Sequence, residues 1–380
     1  MDKKNNSSLK VLIVSDMFYP HTGGVSEHML YLCKNLRSLG HDARVLAPSF
    51  GDNGPYMHEH FLRIGKAISI PKNGSFSVIT FGLLIPWQMR ALLEREKFDI
   101  IHVHGPIAPV LPYFAIKYSN ARNFATFHSA HEDSLGYLLW EPVLEQYFRK
   151  LDGLIAVSEV ARDSVSKYFP GEYHIIPNGI DTDRFKPDNE PVADLQQYSP
   201  IILFVGRFEP RKGLKFLLKA FPEVVKEYPS AKLVIVGEGF LEGYYRRYIQ
   251  RHIEESVIFI GFVPPEDLPR YYASCDVFCS PATGAESFGI VLLEAMASQK
   301  PIVASDIPGY RKVMEHDKQG LLFRPCDAGD LADKLIDMLQ DSGRRKSMGM
   351  QGRKTALSYN WRNITERIVS LYYNALNINN

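Results

Sequence analysis

The sequence predicts an α/β fold made of two doubly wound, Rossmann-like domains in tandem. The chain has 380 residues, more than one ordinary hydrophobic core contains. Short runs of β-branched and apolar residues alternate with amphipathic helical runs, which is typical of parallel strands joined by right-handed helical crossovers. Residues 184–200 are polar, proline-rich and without periodicity, and they predict a linker between the two halves.

Twelve segments are candidate strands, six in each half. In the first half they are KVLIVS, ARVLAP, DIIHVH, NFATFH, GLIAVS and YHIIP. In the second half they are PIILFVG, KLVIVG, VIFIGF, DVFCSP, PIVAS and GLLFRP. Most are continuous apolar runs, as expected for parallel strands covered on both faces. Ligands of such sheets bind beyond the carboxyl ends of the strands, so we expect a site in a cleft between the domains.

Composition and charge exclude several classes of protein. The formal net charge of +1 offers no overall field for nucleic acid. The four cysteines are too few and too scattered for a disulfide framework or a zinc knuckle. The polar start MDKKNNSSLK is unlike a signal peptide, and no apolar run approaches the roughly 20 residues that cross a bilayer. We expect a cytoplasmic protein, either free or peripheral at the cytoplasmic face of the membrane.

A basic turn precedes a predicted helix in the second half. In GRFEPRKG, Arg207, Arg211 and Lys212 come just before a helix that should begin near Gly213. Cations there oppose the helix dipole, so the pattern favours a bound anion such as a phosphate. The spacing is not that of a Walker loop, because no Ser or Thr follows the lysine. A solvated basic turn is the alternative interpretation.

Two adjacent glycines follow the first predicted strand. Gly23 and Gly24 allow the backbone to approach a ligand closely and leave amides available to donate to it. A tight turn between strand and helix would have the same sequence, so this pair is a weak signal by itself.

Two carboxylates flank the start of an apolar helix in ESFGIVLLEAMA. The helix should begin near Phe288, with Glu286 just outside its end and Glu294 about 10 Å further along. A buried carboxylate is costly unless it is paired. A nucleotide sugar has hydroxyl-rich rings on both sides of a diphosphate. We therefore predict that one carboxylate binds the sugar, the other binds the ribose, and the amides of 287–290 face the diphosphate.

These segments together resemble the GT-B-fold retaining glycosyltransferases of family four. The resemblance is carried by ESFGIVLLEAMA, GRFEPRKG, GGV, VSEVARDSV and IIPNGIDTDRF, and it extends over essentially the whole chain. The segments GGVSEHMLYLCKNLRSLGHDARVLAPS and ATFHSA are similar to phosphatidylinositol mannosyltransferases. The resemblance implies an acceptor-binding domain at 1–190 and a nucleotide-sugar-binding domain at 191–359 that face a central cleft. It also implies that a helix within 360–380 packs back on the first domain.

The resemblance implies a role for each matching residue. The implied catalytic residues are His128, Arg207, Lys212 and Glu286. The implied donor-binding residues are Gly23, Gly24, Arg207, Lys212, Val263, Glu286, Ser287, Phe288, Gly289, Ile290 and Glu294. The implied acceptor-binding residues are His21, Asn73, His128 and His131. Among these, Gly24 serves the distal phosphate, Glu286 the sugar, Glu294 the ribose and Val263 the base.

The implied reaction is the transfer of a hexose, of mannose or glucose type, with retention of configuration. The donor is a GDP- or UDP-sugar, and the acceptor hydroxyl belongs to a sugar, lipid or polyol, including a lipid-linked or inositol acceptor. No cofactor and no metal are expected, because Arg207 and Lys212 neutralise the leaving diphosphate. Retention would follow from same-face attack, with the leaving phosphate oxygen taking the acceptor's proton.

Two segments depart from the mannosyltransferase pattern. In those enzymes a basic amphipathic helix meets anionic lipid, whereas FGLLIPWQMRALLEREKFD carries acidic as well as basic residues. The apolar end of this segment contains Leu83, Leu84, Ile85 and Trp87. It is either a membrane contact or part of the ordinary core. In HSAHEDSL, Glu132 and Asp133 occupy the place where a cation would hold a lipid phosphate. The acceptor therefore stays open.

Two other functions compete with glycosyl transfer. A metal-dependent hydrolase could use His102 and His104, which share one strand face, together with His128 and His131. A matching cluster of Asp or Glu is missing from that set. A non-catalytic sugar- or lipid-binding protein on the same scaffold should have lost the catalytic charges, yet the glutamate, arginine and lysine are all present.

Overall fold

The computed structural model describes residues 8–21, 23–53, 59–72, 75–105, 110–128, 145–284 and 286–377. By its contacts the chain forms two compact units. The first contains the residues up to Gly179 together with those from Trp361 onward, and the second is Ile180–Asn360.

The strands follow the predicted order along the chain. They are β1 Lys10–Val14, β2 Asp42–Ser49, β3 Phe61–Lys72, β4 Ser75–Phe81, β5 Ile100–His104, β6 Arg122–Phe127, β7 Gly153–Ala156, β8 Tyr173–Ile175, β9 Ile201–Val205, β10 Lys232–Val236, β11 Val257–Gly261, β12 Val277–Ser280, β13 Ile302–Ser305 and β14 Gly320–Phe323. All twelve candidate segments form strands. Two further strands that are not among the candidates, β3 and β4, pair as an antiparallel hairpin.

The helices lie between these strands and after the last one. They are α1 Gly24–Ser38, α2 Ile85–Glu96, α3 Leu111–Tyr118, α4 Glu159–Ser166, α5 Leu214–Glu227, α6 Glu242–Arg246, α7 Leu268–Ser274, α8 Ile290–Ala297, α9 Pro308–Arg311, α10 Ala328–Gln340, α11 Ser342–Ser358 and α12 Trp361–Ala375. None of the helices within the described ranges has both the length and the apolar character needed to span a bilayer.

Each unit is built on one sheet. The first has the strand order β4-β3-β2-β1-β5-β6-β7-β8, parallel except for the β3–β4 hairpin. The second has the order β11-β10-β9-β12-β13-β14 and is parallel throughout. In both sheets the order reverses direction next to the first strand of the unit, as in doubly wound folds. The predicted fold class is confirmed.

Strand β1 shows why the apolar runs are continuous. Val11 and Ile13 belong to the core cluster that also contains residues of α1 and α12. Leu12 and Val14 face the opposite way, into the cluster formed with α2 and α3. Because neighbouring strand residues point to opposite faces and both faces are covered, every position from Val11 to Val14 is apolar.

The boundary between the two units lies earlier in the chain than the linker composition predicts. The linker composition suggests a boundary after residue 190, whereas the contacts place it after Gly179. The reason is hydrogen bonding within the second unit. Ile180 N donates to Tyr359 O at 2.9 Å, and Arg353 Nη2 donates to Thr182 O at 3.0 Å. Residues 180–190 therefore belong with the strands that follow them.

The last helix is part of the first unit. In α12, the Trp361 ring stacks on Tyr31 of α1 with centroids 5.7 Å apart, and the Tyr372 hydroxyl lies 2.6 Å from His102 Nδ1. The apolar face of α12 thereby completes the core on one side of the first sheet.

Candidate functional site

The turn between β9 and α5 brings the predicted cations together. Arg211 and Lys212 lie in a short 3-10 helix, Pro210–Lys212, which ends at Gly213. Gly213 has φ 71°, and a Cβ there would lie 1.7 Å from Pro281 O, so only glycine fits this position. Helix α5 then begins at Leu214. The turn therefore holds the two cations beside the helix start.

The turn contributes four side chains to a continuous charge network with Glu286: Arg207, Glu209, Arg211 and Lys212. Lys212 Nζ and Arg211 Nη1 each lie 2.6 Å from the same oxygen, Glu286 Oε1. Arg211 Nε lies 2.8 Å from Glu209 Oε2, and Arg207 Nη2 lies 3.0 Å from Glu209 Oε1. The side chains of Glu209 and Glu286 are 7% and 11% exposed. Carboxylates so deeply buried need such partners, because an unpaired buried charge is costly.

The sequence indicates four members of this network. Arg207, Lys212 and Glu286 are predicted site residues, and Arg211 is one of the cations of the predicted basic turn. The sequence analysis does not single out Glu209. The segment EPRK contained the signal, because a glutamate two residues before an arginine in a tight turn can pair with it.

The loop before α8 differs from the prediction. The helix begins at Ile290 and not near Phe288, because Gly289 at φ 88° ends the preceding loop in a left-handed conformation. A Cβ at Gly289 would lie 2.7 Å from the Tyr310 ring. Phe288 is buried, with its ring 5.8 Å from that of Tyr359. The side chain of Phe288 is therefore part of the core and does not bind a ligand.

Glu294 is paired with a tyrosine that the sequence did not indicate. The Tyr272 hydroxyl donates to Glu294 Oε2 at 2.7 Å. Tyr272 is fully buried, and burial followed by the charge of Glu294 raises its pKa well above the usual range, so it stays a donor. This bond explains how an otherwise apolar helix carries a carboxylate. Val263, the predicted contact for the base, is half-buried in the loop between β11 and α7.

In the first unit, the predicted glycines form the start of α1. Gly23 is the cap residue and Gly24 the first helical residue. A Cβ added to Gly23 would meet no atom of the described chain within 4 Å, so the space beside it is open. His21 lies just before them. Its amide donates to Phe18 O at 3.1 Å, and its ring stacks on Phe50.

His128 follows β6 and belongs to a group of histidines. Its Nε2 lies 3.0 Å from His104 Nδ1, and its ring contacts that of His28 at 4.8 Å between centroids. Burial lowers the pKa of His28 to about 4 and that of His102 to about 3. Burial also holds the pKa values of His104 and His128 well below the usual range. All four rings are therefore neutral near pH 7.

Three of the four histidines proposed for a hydrolase lie in the described residues, and their ring centroids are 4.4 Å apart for His102 and His104 and 5.3 Å apart for His104 and His128. His102 uses both ring nitrogens, towards the Tyr372 hydroxyl at 2.6 Å and towards Thr126 Oγ1 at 2.7 Å. His28, which the sequence did not single out, takes its place beside His104. His131 and Asn73, both predicted to bind the acceptor, lie outside the described residues, as do Glu132 and Asp133.

Sequence comparison covers both halves of the chain. Residues 22–184 match the family described as Glycosyltransferase Family 4, and residues 185–355 match Glycosyl transferases group 1. A phosphatidyl-myo-inositol mannosyltransferase of Mycobacterium tuberculosis is 35% identical over 361 residues, 92% of this chain and 93% of that protein. The chain belongs to this family of glycosyltransferases.

Further relatives and solved structures agree with this assignment. A GDP-mannose-dependent alpha-(1-6)-phosphatidylinositol monomannoside mannosyltransferase of M. tuberculosis is 28% identical, over 91% of this chain and 93% of that one. The structure of Anabaena HepE with UDP and glucose superposes with TM-score 0.75 at 21% identity, covering 95% of this chain and 98% of that one. Sucrose-phosphate synthase from Thermosynechococcus elongatus gives 0.75 at 22%, covering 98% and 100%.

This glycosyltransferase therefore has the GT-B fold and moves a sugar from a nucleotide-sugar donor to an acceptor hydroxyl. The hydrolase and the non-catalytic binding protein are not favoured by these relationships. The resemblance read from the sequence is confirmed at the level of family, fold and reaction class.

Proposed function

We propose that this glycosyltransferase transfers mannose from GDP-mannose to an inositol phospholipid, with retention of configuration and without a metal. The names of its relatives, phosphatidyl-myo-inositol mannosyltransferases at 30–35% identity, support the sugar and the acceptor. The GDP-mannose dependence of a more distant relative supports the base. The observation that carries the proposal is the network of Arg207, Arg211 and Lys212 with Glu286 at the start of α5.

The proposed diphosphate site uses Arg207 and Lys212. The network contains three cations and two carboxylates, so its net charge of +1 favours an anion. As the sugar leaves, negative charge grows on the diphosphate, and cations already held in position stabilise that change without rearrangement. Side chains therefore take the role that magnesium has in other transferases. The backbone at Ser287, Gly289 and Ile290 supplies further donors.

Glu286 is assigned to the donor sugar. Its Oε1 already accepts from Arg211 and Lys212, so its orientation is fixed by two charged donors. We assign its second oxygen to the hydroxyls of the sugar. Arg211 thus supports Glu286, while Arg207, whose side chain is 53% exposed, is the cation most open to a ligand.

Glu294 is assigned to the ribose hydroxyls, with Tyr272 holding its carboxylate. The base lies against the loop that contains Val263. In the first unit, Gly23 and Gly24 are assigned to the distal phosphate and His128 to the donor sugar. A neutral imidazole can exchange a hydrogen bond with a sugar hydroxyl without adding charge, and its low pKa keeps it neutral.

The chemical step conserves the configuration at the anomeric carbon. The bond from that carbon to the phosphate oxygen breaks, and a new bond forms to the acceptor oxygen on the same face. The proton of the acceptor hydroxyl passes to the leaving phosphate oxygen, so no protein nucleophile is required. The acceptor-binding roles of His21, Asn73 and His131 remain part of this proposal.

An exposed apolar patch supports a lipid acceptor and contact with the cytoplasmic membrane surface. Leu83 and Trp87 are 83% and 68% exposed, and Phe81 and Leu84 are also exposed, whereas Ile85 is buried. The core interpretation of this segment is therefore wrong except at Ile85. Patches of this kind mark membrane or protein contacts.

The charges of α2 suit this contact better than the sequence suggests. Glu96 turns inward, where Lys10 Nζ at 2.8 Å and Arg44 Nη1 at 3.0 Å neutralise it. Arg90 pairs with Glu94 on the exposed side. The acidic residues of α2 are thus compensated, and their repulsion from an anionic surface is reduced.

The test is a transfer assay with defined donors and acceptors. Radiolabelled GDP-mannose, UDP-glucose and GDP-glucose are offered with vesicles of phosphatidylcholine, either alone or with phosphatidylinositol. The expected result is label in the phosphatidylinositol fraction from GDP-mannose alone, with thermal stabilisation by the same donor. Transfer from UDP-glucose would contradict the proposed donor. Label that appears without an inositol lipid would contradict the proposed acceptor.

A further inference from the structure

Three histidine rings in the first unit form a compact cluster. His28 lies in α1, His104 ends β5, and His128 follows β6. Their ring centroids are 5.0, 4.8 and 5.3 Å apart. One ring nitrogen from each lies within 4.8 Å of the other two. The cluster forms because β5 and β6 are neighbouring parallel strands whose carboxyl ends meet at one edge of the sheet.

Hydrogen bonds determine which nitrogens have lone pairs to offer. His28 Nδ1 lies 2.9 Å from Asn178 Oδ1. Because an amide oxygen only accepts, Nδ1 carries the proton of His28 and Nε2 carries the lone pair. Within the described residues, His28 Nε2 and His104 Nε2 are buried and have no hydrogen-bond partner. The two residues are 1% and 0% exposed, so bulk water does not reach these atoms.

An imidazole binds a metal through an unprotonated ring nitrogen. His102, whose ring centroid lies 4.4 Å from that of His104, is not a candidate, because both its nitrogens are already hydrogen-bonded.

We propose that His28, His104 and His128 form a binding site for one zinc-class divalent cation. Three imidazoles with a fourth position open to water are a ligand set that Zn²⁺ takes. With a Zn–N distance of about 2.1 Å, tetrahedral ligation places imidazole centres about 5 Å apart, which is the spacing of these rings. An all-nitrogen set does not suit Ca²⁺ or Mg²⁺, which prefer oxygen.

Asn178 holds the ring of His28, one of the three proposed ligands, through a hydrogen bond. Histidines that bind metals donate their other ring N–H to a polar group, which fixes the ring. The Asn178 contact does this for His28. His128 is the partly exposed member, and its Nε2 lies 3.0 Å from His104 Nδ1. Because the proposed function assigns His128 to the donor sugar, a bound ion and the donor exclude one another.

The test measures metal binding directly. Zn²⁺ is titrated into the full-length protein, with any affinity tag removed, in competition with a fluorescent zinc indicator. One equivalent should bind, and His128→Asn should bind it at least tenfold more weakly. Asn178→Ala should weaken binding by about 10- to 100-fold, as loss of an outer partner does. Co²⁺ in place of Zn²⁺ should give the visible absorption of a tetrahedral nitrogen site.

Matched controls exclude adventitious binding. His252→Asn and Cys326→Ser, at two exposed positions, should leave the affinity and the one-to-one stoichiometry unchanged. Failure of the wild type to bind one equivalent, or undiminished binding by folded His128→Asn, overturns the proposal. His28→Asn is a second test where circular dichroism shows that it folds. The readout is independent of glycosyl transfer, so this site and the proposed donor and acceptor stand or fall separately.

Discussion

Lys212 Nζ lies 2.6 Å from Glu286 Oε1, and this contact joins the turn after β9 to the loop before α8. The two residues are 74 positions apart in the chain. The lysine side chain is 17% exposed and the glutamate 11%, so neither charge is fully solvated. The contact is strengthened by Arg211, which donates to the same oxygen. It defines the centre of the proposed donor site.

Replacing Lys212 with alanine should abolish most of the activity without unfolding the protein. We expect a loss of about 100- to 1,000-fold in kcat, as when one preorganised charge-stabilising donor is removed. Steady-state kinetics with the donor varied is the measurement. Lys219→Ala, which removes an exposed cation of α5, is the matched control. Near-normal turnover of Lys212→Ala would take this lysine out of the mechanism.

Replacing Glu209 with alanine should affect both stability and donor affinity. Its carboxylate holds Arg207 and Arg211, and its loss leaves two guanidinium groups with fewer partners. Because both arginines are partly exposed, we expect a loss of about 1–3 kcal/mol in the free energy of unfolding, at the lower end of buried ion pairs. Urea denaturation measures it.

The control for Glu209 is Glu242→Ala, which breaks an exposed pair with Arg246. That change should cost less than about 1 kcal/mol. Equal effects of the two substitutions would show that the network around Glu209 has no special stabilising role.

The substitution Tyr272→Phe removes one hydroxyl and keeps the ring. Glu294 then loses its 2.7 Å donor, while the ring keeps its contacts with Phe185 and Phe278. We expect a loss of about 1 kcal/mol in stability and a several-fold rise in KM for the donor, because the ribose carboxylate is less well held. Tyr244→Phe, at an exposed tyrosine, is the control. An unchanged KM contradicts the assignment of Glu294 to the ribose.

Stability should fall as the pH is lowered from about 6.5 towards 4. In the unfolded chain each histidine takes up a proton near pH 6.5, but burial lowers the folded pKa of His28 to about 4 and that of His102 to about 3. Above pH 6.5 both states are neutral and full stability is present. Below it the unfolded state binds more protons, so each such histidine costs up to about 1.4 kcal/mol per pH unit.

Urea unfolding at several pH values between 7 and 5 measures this slope. The raised pKa of Asp16 acts in the opposite direction, because the folded state then binds the extra proton. His252→Asn, at an exposed histidine, should leave the slope unchanged, whereas folded His102→Gln should reduce it. A stability independent of pH in this range contradicts the burial of neutral imidazoles.

Polar substitution of the exposed apolar patch should weaken membrane binding. Leu83→Ser combined with Trp87→Ser removes two side chains that stand largely in water, so folding should be little affected. Burying such side chains in an interface is worth about 1.5–3 kcal/mol each, and we expect at least about tenfold weaker co-sedimentation with phosphatidylinositol vesicles. Leu357→Ser, at an exposed leucine of α11, is the control. Equal binding by both variants argues against this patch.

The sequence predicts the strands well because most of them are continuous apolar runs, and several have a glycine or proline directly after them. It does not reveal the β3–β4 hairpin, where the run from Phe61 has charged and small residues and the pairing is antiparallel. The helix start at Ile290 was also missed, because ESFG looks like the start of a helix until the left-handed Gly289 is known.

The sequence indicates members of the charge network only where they belong to a local motif. Arg207, Lys212 and Glu286 stand in recognisable segments. Tyr272 and His28 do not, because their partners, Glu294 and His104, are distant in the chain and become neighbours through the fold. The distribution of protons over the histidines follows from burial, which composition and spacing do not reveal.

The position of α12 has a consequence for biosynthesis. The α12 residues Trp361, Tyr372 and Tyr373 belong to the same core as β1. The whole second unit is translated after β1 and before α12. The second unit can therefore be synthesised on the ribosome while the apolar face of α1 that packs on α12 is still uncovered. The core of the first unit closes only after α12 has been made, so a chaperone that shields this face during synthesis should improve the yield of folded enzyme.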